Sequence, residues 1–227
     1  MNKTEKQTDH RIALHTAIGF HKIAATFFKR LKSGSLSECV QILHDNTADA
    51  ICATTNFYLA IELYIKSIQV GLGYDVLKQH NLLTLFESLP NELQAAITQR
   101  YDEIVASKQQ GELRSFSLTI NSPYDEIIEP EKIDASDKSL LCLLDRNAAG
   151  FISWRYYFET LEPEQVSRSL SVEFDHLNVL ANILADYILM NDKIFEANSI
   201  TKTLQKRGRP ISKNSMIWKQ SNRQSDS

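Results

Sequence analysis

Arg146 and Asn147 stand side by side in "DRNAAGFISWRYYFE", Asp145 to Glu159, a stretch that runs on into Trp154-Arg155-Tyr156-Tyr157. An arginine beside a small polar residue on a helix can hold a scissile phosphate. A histidine one or two turns later then manages the proton of the attacking hydroxyl. That histidine is missing: positions 151–153 are Phe151, Ile152 and Ser153, and Trp154 follows. None of these acts as a general base near neutral pH. Arg11 to His15, the other Arg-to-His spacing, has three residues between and lies in the first helical stretch. His80 opens a helix, where bonding to a neighbouring helix is expected before catalysis. His10, His15 and His21 are five and six apart, so they do not stack on one face as ligands at i and i+4 would. No metal and no cofactor are expected. For Trp154, Tyr156, Tyr157 and Phe158, packing in a core or a dimer surface is the expectation. Arg155 is placed to stack on one of these rings or to pair with Glu159.

A second chemistry lies in "KRGRPISK", Lys206 to Lys213, which resembles the AT-hook. A flat Arg-Gly-Arg-Pro can enter the narrow minor groove of A·T-rich DNA, with Gly208 and Pro210 keeping the backbone close and extended. Arg207 and Arg209 would enter the groove, and Lys206 and Lys213 would meet phosphates. The alternative is a solubilising tail that binds polyanions weakly, through salt-sensitive phosphate neutralisation.

The elements that must carry these residues follow from composition and period. The 227 residues are 43% apolar and 23% charged, with only 7 Gly and 5 Pro, which disfavours a turn-rich β-sandwich and suits long helices. Cys39, Cys52 and Cys142 form no C-x-x-C pair, so neither a disulfide framework nor a zinc site is indicated. No apolar run approaches the roughly 20 residues of a membrane span, and histidines interrupt the N-terminal stretch where a secretory signal would need an apolar core. A cytoplasmic protein is expected. The net charge of −3 is uneven: residues 201–227 hold seven Lys/Arg and one acid, leaving 18 basic and 27 acidic side chains before them. An acidic body with a basic tail points to the tail as the part that meets nucleic acid.

Helical period dominates. Ile12, Ala13, Ile18, Phe20, Ile23, Phe27, Phe28 and Leu31 mark a first helix ending near Gly34, and Leu36 to Leu43 predicts a short one. The longest runs from about Asn46 to Val70, closed by Gly71-Leu72-Gly73. "HNLLTLFESLP" and "NELQAAITQRYDEIVAS" predict two more. Residues 108–135 lose the pattern and read as a connection over a groove or dimer surface, with one short extended piece at "FSLTI". Ser136 starts a helix reaching about Glu159, and Ser171 to Phe195 forms the last. The expectation is an all-α antiparallel bundle of five or six helices over residues 1–199, followed by a flexible basic tail, 200–227.

In "NFYLAIELYIKSIQVGLGYDVLKQHNLLTLFESLP", Glu62 and Lys66 are four apart and can pair along a helix face, a surface contribution of a few tenths of a kcal/mol. The order Glu-Leu-x-x-Lys, a glycine turn, His80-Asn81-Leu82-Leu83 and then Leu-Pro resembles the HEPN superfamily, as does the later aromatic, Trp154-Arg155-Tyr156 and Phe-Glu run. The likeness covers about residues 45 to 190. It implies an all-α domain of the kind found in toxin–antitoxin pairs, phage defence and RNA processing. Catalytic relatives place Arg, a polar residue and, after four to six positions, His at a dimer interface. Arg146 and Asn147 match the first half alone. The resemblance therefore implies a non-catalytic homodimeric module that binds RNA, a nucleotidyltransferase-type antitoxin or another defence protein. Two alternatives stand beside it: a ribonuclease whose base is His80, His176 or a partner-chain residue, and a DNA-associated regulator that uses the tail.

Overall fold

The computed structural model describes residues 10–33, 47–108, 113, 115–121, 125–131, 139–155 and 167–206. Its body is helical, as the periodicity predicts. Helix α1, His10–Ser33, buries Leu14, Ala17, Ala24 and Phe28 on one face. Helix α2, Thr47–Gly71, is apolar nearly all round, burying Ala50, Phe57, Tyr58, Ile61, Tyr64, Ile65 and Ile68, and so takes the middle of the bundle. Directions follow from end contacts. Ser67 Oγ donates to the His10 carbonyl at one end, while Phe28 and Phe57 meet at the other, so α1 and α2 are antiparallel.

Two glycines allow α2 to be enclosed so closely. A β-carbon at Gly71 would collide with the Phe195 ring, and one at Gly150 with the Tyr58 ring. Beyond Gly71 the helix is closed by Gly73, whose φ of +80° lets Tyr74 N–H reach back to the Gln69 carbonyl at 2.8 Å.

Short elements then cover α2. Helix α3, Leu82–Glu87, starts at Asn81, whose side chain accepts from Thr84 N–H at 2.9 Å. Helix α4, Asn91–Ser107, follows Pro90 and buries Leu93, Ile97, Tyr101 and Val105. The single helix expected from Ser136 to Glu159 is instead two within the described residues. Helix α5, Leu140–Arg146, is capped by Ser139, a turn spans residues 147–149, and helix α6 is Gly150–Arg155. The break arises because Asn147 Nδ2 donates to the Leu143 carbonyl at 2.8 Å and turns the chain there.

A small antiparallel sheet is added to the helical body. Strand β1, Ser115–Asn121, includes the "FSLTI" piece and lies between β2, Asp125–Glu131, and β3, Ser167–Val172, in the order β2-β1-β3. Phe116 is opposite Pro130 on one side and Val172 on the other. Among the described residues Pro130 thus sits on an edge strand, where a missing N–H is tolerated. Two of these strands have no counterpart in the helical period. The sheet nonetheless places one residue that matters below, because β3 leads through Glu173 straight into helix α7.

Helix α7, Phe174–Lys206, is longer than the stretch ending at Phe195 predicts, so residues 200–206, expected to begin the tail, are its last turns. Its start stacks Phe174 on Phe28, with ring centroids 3.9 Å apart, and Asp192 meets His10 near the other end. It therefore runs antiparallel to α1 and parallel to α2. The predicted helix Leu36–Leu43 and residues 207–227 lie outside the described residues. Among the described residues no helix is long and apolar enough to cross a membrane.

Candidate functional site

Glu173 is the hub of the first polar cluster. Its carboxylate accepts from Arg146 Nη2 at 2.7 Å, from Arg146 Nε at 3.0 Å and from Asn147 Nδ2 at 2.9 Å. Both oxygens of the acid and one edge of the guanidinium, Nε and Nη2, are used, the strongest geometry for such a pair. Asn147 is buried, and its side-chain oxygen accepts from the Tyr58 hydroxyl of α2. Burial and then the Glu173 charge push the Tyr58 phenol far above its usual range, so it stays a neutral donor. Trp154 is buried as well. Next to this cluster the Tyr101 hydroxyl and His176 Nδ1 are 2.8 Å apart and both residues are buried. Burial foremost, and Glu173 after it, also raise the Tyr101 phenol.

Of the sequence candidates for phosphate cleavage, the structure thus ties Arg146 and Asn147 into one network with Glu173, in which Asn147 and Glu173 are buried and the Arg146 side chain is 34% exposed. His176 lies within the packed interior. An arginine whose charge is matched by a carboxylate through two hydrogen bonds is poorly placed to stabilise a developing phosphate charge.

A second cluster is built on the next turns of α2. Glu62, expected on a surface, has a side chain only 3% exposed. Lys66 Nζ donates to Glu62 Oε1 at 2.6 Å and to the Gln79 carbonyl at 3.0 Å, drawing the 74–81 segment over the helix. That cover is why the pair is buried rather than solvated. The other oxygen, Oε2, accepts from His80 Nδ1 at 2.8 Å. A carboxylate accepts only, so Nδ1 carries the hydrogen and Nε2 points away from Glu62.

Phe151 completes this arrangement. Its ring centroid lies 4.9 Å from that of His80, the planes inclined by 31°, and the Arg155 guanidinium carbon lies 5.6 Å from the same centroid. Phe151 itself is buried, whereas the His80 side chain is 46% exposed and Arg155 is exposed. The two clusters adjoin through the backbone, since Leu82 N–H donates to the Ala148 carbonyl at 3.2 Å.

The remaining candidates separate from these. Lys206 closes α7, while Arg207, Gly208, Arg209, Pro210 and Lys213 lie outside the described residues, as does Tyr156. His10 and His21 serve the packing of α1. His10 Nε2 lies 3.0 Å from Asp192, and His21 is set between Tyr64 at 3.2 Å and Asn178 at 2.8 Å. Burial holds the His21 imidazole below its usual range, in the neutral form this setting needs. Among the described residues, no group of three or more His, Cys, Asp or Glu is placed to hold a metal ion.

Sequence reasoning missed Glu173. It stands in "SVEFDH" two residues before a second acid, Asp175, and 27 residues from Arg146, and nothing local marks it as a partner. It also missed that Phe151 backs both His80 and Arg155, a contact across two elements. Comparison with protein-family models, with curated proteins and with solved structures finds no match.

Proposed function

We propose that this protein is a HEPN-like helical module that acts by binding rather than by cleaving, as a homodimer in a toxin–antitoxin or phage-defence setting. The partner is an RNA or a protein of the antitoxin kind. One observation supports the non-catalytic part: Arg146 spends its guanidinium on Glu173, and Asn147 is buried against Tyr58 and Glu173. A ribonuclease built on this pair would need the arginine directed at substrate and a base within reach. The likeness to HEPN domains supports the rest, through Glu62, Lys66 and His80 and through Trp154 and Arg155.

A fluorogenic RNA incubated with the wild-type chain tests this directly. No cleavage above the protein-free control is expected. Arg146→Ala is expected to lower the unfolding midpoint while leaving that null result unchanged. Cleavage by the wild type that Arg146→Ala abolishes would overturn the proposal.

A further inference from the structure

We propose that the outer face of α1 is a docking surface for the α1 of a second copy of this chain, laid antiparallel across Gly19. This rests on the homodimer in the function proposed above and assigns its seam.

The face is apolar along its whole length. Ile12 and Ile23, two of the residues that mark this helix in the sequence, are not in the core: they are 66% and 57% exposed. With Thr16, Gly19 and Thr26, exposed as well, they step along α1 by four, three, four and three residues, the repeat of a helix-packing seam. The threonines extend this stripe rather than interrupt it. Thr16 Oγ1 donates to the Ile12 carbonyl at 2.7 Å, and Thr26 Oγ1 to the Lys22 carbonyl at 2.8 Å. Each hydroxyl is thereby turned back on its own helix, and the methyl is left to face outward. No Asp or Glu occurs anywhere in α1, and the exposed Lys22 and Lys29 stand to one side of the stripe.

Gly19 decides what the face takes. A glycine in mid-helix weakens the helix that holds it, so it calls for a steric reason. Gly71 and Gly150 have one, in the rings of Phe195 and Tyr58. At Gly19, apart from its chain neighbours and the backbone of its own helix, no atom lies within 4 Å of where a β-carbon would stand. The monomer therefore supplies no reason, and the missing side chain leaves a hollow in the seam one turn from the exposed Ile23. A knob and a hollow one turn apart on one helix fit a second copy that runs the other way. Ile23 of each copy enters the hollow at Gly19 of the other, and Thr16 of each meets Thr26 of the other across the same axis. Such reciprocity is what a two-fold interface requires, and a helix of an unrelated protein has no cause to carry it.

The size of the seam sets its strength. A helix of 24 residues is about 36 Å long and about 10 Å wide, so the footprint is on the order of 400 Å² per copy. That is about half of the roughly 800 Å² per partner of a standard stable interface. The dimer is therefore reversible and depends on concentration.

Sedimentation velocity of the full chain from about 1 µM to about 1 mM tests this, a span that brackets a weak interface. The wild type is expected to pass from monomer to dimer. Gly19→Leu fills the hollow and Ile23→Lys charges the knob, and each should raise the dissociation constant about tenfold or more. Gly19→Leu should leave the melting temperature of the dilute monomer unchanged or higher, since nothing in the monomer occupies that space. Gly19→Leu combined with Ile23→Ala moves the knob to the other side of the same contact and should bring dimerisation back towards the wild type. A dimer as tight in Gly19→Leu as in the wild type, or a double variant no tighter than Gly19→Leu, overturns the seam and leaves the homodimer standing on another surface. A wild type that stays monomeric over the whole span overturns the seam and the homodimer together. If that monomer floats with phosphatidylglycerol vesicles, the face belongs to an anionic membrane instead.

Discussion

Two carboxylates in this protein are treated in opposite ways. Glu173 is surrounded: Arg146 takes both its oxygens, Asn147 takes one again, and Tyr58 closes the far side of Asn147. Glu62 is equally buried, yet one of its two partners, His80, is half in solvent and presents an unused nitrogen there. Burial and hydrogen bonding alone do not separate a structural cluster from a functional one. Both networks reach the surface, and what separates them is the member that stands there: a guanidinium, 34% exposed, that closes on both Glu173 oxygens, against an imidazole, 46% exposed, that holds one Glu62 oxygen and leaves Nε2 open among the described residues. Removing one member of a closed network leaves the others stranded.

Breaking the closed cluster should produce the largest effect. Glu173→Ala leaves Arg146 and Asn147 without their acceptor and should cost about 3–5 kcal/mol in urea unfolding. A loss below about 1 kcal/mol would mean that the cluster does not hold the α5–α7 junction together. Asn147→Ala should cost less, about 1–3 kcal/mol, because it strands the Tyr58 hydroxyl rather than a charge. Combined with Glu173→Ala it should add little, since the two act as one network; full additivity would separate them.

The open cluster should respond differently. Glu62→Gln keeps the shape but removes the charge that pairs Lys66 and orders His80, so about 1.5–3 kcal/mol is expected. The sharper signature is spectroscopic. Nitrogen chemical shifts should show the Nδ1-protonated tautomer of His80 dominant in the wild type and that preference lost in Glu62→Gln. A stability loss as large as that of Glu173→Ala, with the tautomer unchanged, would erase the contrast between the clusters.

The smallest effect belongs to an exposed pair that is neither. The Arg11 guanidinium bonds Asp192 at 2.9 and 3.1 Å, and with His10 it holds that carboxyl at about 2. A carboxyl depressed in the folded state contributes stability above its ordinary value near 4, and that contribution is lost as pH falls from about 4 to about 2. Asp192→Asn should therefore flatten the acid limb of the melting curve in that window, and 1 M salt should shrink the difference between the two proteins. A salt-insensitive difference would place this pair with the buried clusters.

Much of the architecture was written in local pattern. The helical period of α1 and α2 and the glycine turn act within a few residues and appear where the sequence puts them, although the face that α1 buries is Leu14, Ala17, Ala24 and Phe28, with Ile12 and Ile23 exposed. The helix expected from Ser136 to Glu159 fails for the opposite reason. No proline interrupts it, and the Asn147 side chain is held at the turn not only by the local Leu143 carbonyl but by the distant Glu173 carboxylate and by Tyr58. Of the three strands only β1 was visible, as the "FSLTI" piece, and Ser171, expected to start the last helix, lies in β3. "SFSLTIN" and "SRSLSV" alternate cleanly, but each is short, and Pro130 disguises the strand between them. At the candidate site, Glu62, Lys66 and His80 were legible as residues that belong together, whereas the depth of Glu62 was not, because only the 74–81 segment folding back creates it.

The seam between α1 and α7 has a consequence in time. His10 and Asp192, which fasten the start of one helix to the far part of the other, are separated by 182 residues. At about 5–20 residues per second of synthesis, roughly 10–40 s pass between the making of the first and the making of the second. Through that interval the apolar face of α1 has α2 to lie against but not α7, so Phe28 lacks the ring of Phe174 that stacks on it at 3.9 Å. The nascent chain thus carries a half-covered helix until α7 is made, and its exposure to chaperones and to premature association is set by how late α7 is translated.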